Sequence, residues 1–209
     1  METFYKQSSN PIEVSNSDKL KSRIDNGVSI ISFMGHSVAF RLDFNLENIS
    51  SYQNKGKYHV FMAMGCYAGQ MFEPMRSISE MHNLAQDRGS IVYLANSTAG
   101  LPYILSVYGT EFYKQIGQDL YGKSIGEAVK AANIAMIEEY NSSKNEAIAH
   151  QALSTSYNGD PAIRLLSAEF PDFTPDAGTA STQPSLLYAD KGQFDFEIDL
   201  VNLGKAISD

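Results

Sequence analysis

Three segments of this chain are apolar almost without interruption: VSIISFM (28–34), YHVFMAM (58–64) and SIVYLANS (90–97). Successive side chains of a strand point to opposite faces, so a strand with one wet face alternates polar and apolar residues. A run that does not alternate has no wet face and is buried on both sides. Helical spacing fills the gaps between these runs. SDKLKSRIDNG (17–27) puts Leu20 and Ile24 on one face, with Ser17 or Asp18 as cap and Asn26-Gly27 as stop. EPMRSISEMHNLAQDRG (73–89) carries the stripe Met75, Ile78, Met81 and Leu84 or Ala85, with Pro74 in the first turn. Doubly buried strands alternating with helices predict an α/β fold: a mostly parallel sheet flanked by helices on both faces.

The remaining elements follow the same logic. Residues 41–57 read as a connection with a short helical piece near NLENISSYQ. A helix within 102–120 places Ile104, Val107, Tyr108 and Phe112 near one face. SIGEAVKAANIAMIEEY opens on a capping box, Ser124 and Glu127, and turns Ile125, Ala128, Val129, Ala132, Ala135 and Met136 inward. SKNEAIAHQAL (143–153) offers a second box, Ser143 and Glu146, and NGDPAIRLL (158–166) a turn and a short strand. Beyond residue 167 the composition shifts. PDFTPDAGTASTQPS is rich in Pro, Thr and Ser, whereas QFDFEIDLVNLG alternates, with Phe194, Phe196, Ile198 and Leu200 on one face of a half-exposed antiparallel strand. Since one or two strands do not fold alone, the expected organisation is a catalytic-type domain over 1–167, a linker over 168–184, and the truncated start of a β-sandwich domain over 185–209.

At 43% apolar and 19% charged residues, the 209-residue chain buries a real core. Its net charge of −8 and lack of any Lys/Arg cluster exclude nucleic-acid binding by bulk electrostatics. No apolar run reaches the length of a membrane span, and METFYKQSSNPIEV lacks the apolar core of a signal peptide. A single cysteine, Cys66, excludes an internal disulfide and a multi-cysteine metal site. His36, His59, His82 and His150 show no ligand spacing, and no D-x-D-x-D loop is present, so the pattern identifies no cofactor site.

Sites in open α/β sheets lie beyond the carboxyl ends of the strands. His36 and Cys66 both stand there, each one residue past a strand-ending glycine, Gly35 and Gly65. On neighbouring strands, about 5 Å apart, they face one gap. A thiolate is the nucleophile of cysteine chemistry, and an imidazole takes the thiol proton and returns it to a leaving amine. The backbone N–H groups of Cys66 and Ser37 are candidates for an oxyanion hole. Gly35, Gly65 and Gly69 let a substrate backbone approach, and Gly65, Asn96, Ser97 and Thr98 are candidates for a substrate pocket.

Plainer readings stand beside this one. Cys66 can be a small buried apolar residue, His36 a capped core histidine, Glu73 and Glu80 solvated charges at a helix start, and His59 and His82 surface residues. GHSVA (35–39) also resembles a G-x-S-x-G elbow, with Ser37 as nucleophile and Asp119 and His150 as partners. Such an elbow runs straight into a helix, whereas VAFRLDFNL alternates and reads as extended.

Taken in order, IDNGVSIISFMGH, FMAMGCYAGQMF, RGSIVYLANST, SIGEAVKAA and NGDPAIRLL resemble the gingipain-like cysteine peptidases, the family of the gingipains and of the sortase-like peptidase of type IX secretion. The resemblance runs from about residue 17 to 166. It implies a caspase-like α/β fold, peptide-bond hydrolysis with Cys66 as nucleophile and His36 as acid/base, and protein or peptide substrates. It further implies a bacterial parent protein that is secreted or held at the cell surface, an immunoglobulin-like domain opening near residue 170, and the use of calcium in some members. Two departures bear on activity. Ser37 stands where the family usually has Gly after the histidine, and the family's upstream strands with an acidic residue near the histidine precede the point where this sequence begins. The alternative is an inactive relative acting as a scaffold or binding module in secretion.

Overall fold

The computed structural model describes residues 2–7, 9–72, 74–165, 167–186 and 193–205. The chain forms two compact units, Met1–Leu165 and Leu166–Asp209.

In the first unit, α1 (Ser17–Asn26) is stopped by Gly27, whose N–H closes onto the Arg23 and Ile24 carbonyls at a φ of 98°. The unbroken apolar runs become β1 (Ile30–Met34), β4 (His59–Met64) and β5 (Ser90–Asn96). Between β1 and β4 a small hairpin pairs β2 (Ser37–Val38) with β3 (Arg41–Leu42), and a 3-10 turn spans Ile49–Ser51. The main sheet has the order β1-β4-β5-β6, with the first three strands parallel. Its fourth strand, β6 (Thr155–Gly159), runs antiparallel to β5.

Each face of the sheet carries its own core. Val60, Met62, Val92 and Leu94 pack under α3 (Pro102–Lys114), α4 (Ile125–Ser143) and α5 (Glu146–Ser154). On the opposite face Phe33, Phe61, Ala63, Tyr93 and Ala95 meet Ile24 of α1, Ile78 of α2 (Ile78–Leu84), and Leu42, Leu46, Ile49 and Tyr52 of the connection. This is the two-sided burial that the absence of alternation requires. The Ser124–Glu127 capping box forms as expected. The NGDPAIRLL segment closes over it: Ile125 and Gly126 donate their N–H groups to the Ile163 and Pro161 carbonyls. A Cβ on Gly126 would lie 2.6 Å from Pro161, so this closure requires glycine.

Several expectations are corrected. The helix expected over 73–89 shortens to Ile78–Leu84, because Ser77 and Glu80 form a reciprocal capping box that fixes its start. Met75 and Leu84 consequently lie exposed rather than on a buried stripe, and Glu73 lies outside the described residues. Beyond Lys114 the chain makes a π-helical turn, Gln115–Asp119. Asn145, not Ser143, caps α5 by accepting the Ala147 N–H. The strand expected within NGDPAIRLL lies mostly before its turn, as β6, since Tyr157 and its neighbours complete the sheet edge beside β5. Leu166, at the end of that motif, lies outside the described residues.

The second unit pairs β7 (Phe173–Pro175) with β10 (Leu200–Asn202) and β8 (Ser181–Gln183) with β9 (Asp195–Glu197), both antiparallel. The segment expected as a linker thus carries β7 and β8. The single strand expected over 193–204 is broken at Ile198–Asp199, its halves taking different partners. Residues 187–192 and 206–209 of the expected third segment lie outside the described residues.

His59 and His82, expected at the surface, are fully buried. His82 falls on the face of α2 that Ile78 turns inward, four residues on, and His59 lies beneath it on β4. Their rings join Phe61 and Tyr93, which stack at 4.8 Å, and His82 sits 4.9 Å from Phe61. Burial lowers the pKa of His59 to about 4 and that of His82 to about 3. Both rings are therefore held neutral in the fold, while in the unfolded chain they take up protons near 6.5. Stability is full above that pH and falls as the pH drops towards the folded values, by about 1.4 kcal/mol per pH unit for each ring. Urea unfolding between pH 7 and pH 4.5 should show this slope, and His82→Phe should reduce it by about half.

Candidate active site

The three parallel strands stop at one rim, and the chain leaving each of them meets the others there. In the sheet Met34 lies opposite Met64, and Ala63 opposite Ala95. The pairing runs on past the strand ends: Gly35 donates its N–H to the Met64 carbonyl at 3.2 Å, and Tyr67 donates to the Thr98 carbonyl at 2.8 Å. Cys66 therefore leaves the middle strand between His36–Ser37 on one side and Thr98–Gly100 on the other.

The Ser37 hydroxyl donates to the Cys66 carbonyl at 2.7 Å, tying the histidine-bearing chain to the cysteine-bearing one. Gly65 makes the approach possible. A Cβ there would stand 2.2 Å from Ser37 Oγ and 2.8 Å from the Gly35 carbonyl oxygen. On the other side, Gly100 donates its N–H to Cys66 Sγ at 3.4 Å, and the thiol faces the Gly100 carbonyl at 3.6 Å. Cys66 is half-buried, and His36 is exposed, so the thiol is not sealed in packed hydrocarbon. Tyr67, directly after the cysteine, adopts a left-handed backbone with φ of 58°, an arrangement that costs about 1–3 kcal/mol and is held only where the surroundings impose it.

The third strand's end divides in use. Asn96 is buried, and its amide exchanges hydrogen bonds with Gln151 at 2.9 and 2.5 Å, so its side chain is committed to α5 rather than to solvent. Ser97 donates to the Ser154 carbonyl through both Oγ and N–H. Thr98 Oγ1 meets His150 Nε2 at 3.3 Å. For the elbow reading, Ser37 enters a hairpin instead of a helix, and its hydroxyl is engaged with Cys66. Of its proposed partners, His150 bonds Thr98, and Asp119 lies at the π turn beside Lys114 at 3.9 Å.

Two neighbours of the site are not evident in the sequence. Gly100 is one. Asp43 is the other: its N–H donates to the His36 carbonyl at 2.9 Å, and its carboxylate pairs with Lys6 at 3.5 Å. Asp43 Oδ1 is buried near Gly35, with no hydrogen-bond partner among the described residues. Also among the described residues, no cluster of three or more His, Cys, Asp or Glu gathers where it could hold a metal ion. No helix there is long and apolar enough to cross a membrane.

The sequence model of Peptidase family C25 matches residues 1–166. The chain belongs to this family. No curated protein matches it significantly. Among solved structures, the Arg specific cysteine proteinase gingipain R (RGPB) aligns with a TM-score of 0.63 at 15% identity, over 79% of this chain and 41% of that one. The complex of Porphyromonas gingivalis RgpB pro- and mature domains gives 0.64 at 16% identity, over 79% and 42%. A third structure, described as a protease, gives 0.59 at 14% identity, over 81% and 44%. The C25 unit thus has the gingipain α/β fold, and the chain spans about two fifths of the length of the solved proteins it matches.

Replacing Gly65 by Ala should cost about 1–3 kcal/mol, the usual penalty for overpacking. It should also slow alkylation of Cys66, read by mass spectrometry, as the two strand ends are pushed apart. Ser37→Ala, which removes only the hydroxyl bond, should cost about 1 kcal/mol in urea unfolding.

Proposed function

We propose that the chain carries the nucleophile and the acid/base of a cysteine endopeptidase. In this reading His36 takes the Cys66 thiol proton as sulfur attacks the scissile carbonyl. The tetrahedral oxyanion accepts hydrogen bonds from the backbone N–H groups of Cys66 and Ser37. Its collapse breaks the C–N bond, His36 returns the proton to the departing amine, and a thioester remains on Cys66. Water, deprotonated by His36, then attacks the thioester and releases the acid and the thiol.

The observation that carries this reading is the Ser37–Cys66 hydrogen bond, which fixes the two strand tips at one rim with the cysteine half-buried and the histidine exposed. Family membership agrees with it. A second reading, a non-catalytic relative that binds proteins during secretion, is favoured by Ser37 itself. Its side chain fills space that a glycine in the family pattern leaves open, 2.2 Å from a Cβ placed on Gly65. On the same resemblance we read the parent as an exported bacterial protein acting on protein or peptide substrates, with the second unit opening an immunoglobulin-like domain.

A peptidyl acyloxymethyl ketone decides between the two. The peptidase reading predicts labelling that Cys66→Ala abolishes and His36→Ala slows by about 100-fold or more. A folded wild-type protein that ignores the probe supports the scaffold. Labelling of Ser37 by a fluorophosphonate would support the serine alternative instead.

A further inference from the structure

Tyr67, the residue after Cys66, lines a groove of about 560 Å³ together with Val38, Phe40, Pro74, Met75 and Arg76. Phe40 is 50% exposed, Met75 68%, Val38 44% and Tyr67 41%. Single apolar residues on a surface are ordinary, but several gathered around one concavity mark a place where something apolar is received. The volume is ample for a large side chain together with part of the adjoining peptide.

Its walls are continuous with the site. Val38 lies in β2, two residues beyond His36, and Tyr67 follows Cys66 directly. Tyr67 is anchored by its N–H to the Thr98 carbonyl, two residues past the end of β5, which holds its left-handed backbone in place. The facing wall is anchored too. Ile78 donates its N–H to the Ala39 carbonyl at 2.7 Å, joining the start of α2 to the turn of the β2–β3 hairpin. The Ser77–Glu80 capping box holds the chain just after Arg76. The groove is thus built between two anchored segments.

We infer that this groove is a specificity subsite receiving a large apolar side chain, such as Leu, Met or Phe, from a peptide residue close to the cleaved bond; the inference rests on the cysteine-peptidase reading above. An extended peptide advances about 3.3 Å per residue and sends alternate side chains to opposite sides. Tyr67 is the residue after Cys66 and Val38 the second after His36, so the inferred subsite takes a side chain one or two residues from a carbonyl held at Cys66. The apolar walls set the class of occupant, and Arg76 opposes Lys or Arg in the same place.

Cleavage-site profiling of the full chain on a mixed peptide library tests this, with Phe40→Glu and Met75→Glu beside the wild type. Both substitutions are on exposed side chains, and melting temperature together with the rate of Cys66 alkylation by iodoacetamide reports that each variant retains the fold and the thiol's surroundings. The expected result is a large apolar residue at one fixed position near the cut, and a fall in kcat/KM for such peptides of about tenfold or more in each variant. Cuts with no apolar preference, or a preference that neither variant alters, would overturn the subsite while leaving the peptidase standing. A wild-type chain that neither cuts the library nor reacts with the peptidyl ketone overturns the peptidase reading and the subsite with it.

Discussion

The parallel register of β1, β4 and β5 is the constraint from which the site follows. Three strands running the same way, paired Met34 to Met64 and Ala63 to Ala95, deliver the chain to one rim at one height. Parallel strands need crossovers: the β2–β3 connection with its 3-10 turn and then α2 cross on one face, and α3, α4 and α5 cover the other. The sheet therefore has no wet face and is clamped by two cores. Whatever leaves the three ends arrives in a fixed arrangement: His36 and Ser37 from one, Cys66 from the middle, and Thr98 to Gly100 from the other. The thiol owes its surroundings to main-chain groups more than to side chains. The Gly100 N–H, the Tyr67–Thr98 bond and the Ser37 hydroxyl on the Cys66 carbonyl all depend on that register.

Close approach of the strand ends sets the residue types there. Gly65 lies where a methyl group would collide with Ser37 and with the Gly35 carbonyl. Tyr67 accepts an unfavourable backbone conformation, offset by its hydrogen bond to Thr98 and by the buried Ala68 that follows. Opposite the rim, the rings of His59, Phe61, His82 and Tyr93 fill the space under α2 with groups that stay neutral because they are dry. His36 thus lies exposed at the carboxyl end of the sheet, while His59 and His82 are buried between the sheet and α2.

Much of this is legible in the residues. Unbroken apolar runs reveal two-sided burial, and glycine followed by His36 or Cys66 marks the strand ends that meet at the rim. What escapes has physical reasons. His82 shares the inward face of α2 with Ile78 at helical spacing, but a histidine is ordinarily polar enough to be assigned outward. The helix start at Ser77 is encoded in Ser-x-x-Glu, a capping box, yet Pro74 offers an earlier start. β6 escapes because TSYNG is neither apolar nor alternating and is a strand only through its pairing with β5. Gly100 and Asp43 act through tertiary proximity and backbone groups, which leave no periodic trace. Asn96 has the composition of a pocket residue, and only the reciprocal bonds to Gln151 reveal its structural use.

Crosslinking tests the shared opening most directly. With His36→Cys in the full chain, a short bifunctional alkylating reagent that spans only a few ångströms should join residues 36 and 66 within one molecule. A bridged tryptic peptide pair would then appear in high yield at low protein concentration. Separate single alkylation of each cysteine, with no bridge in a chain whose melting temperature is unchanged, would show that the two positions open in different directions and would contradict the account.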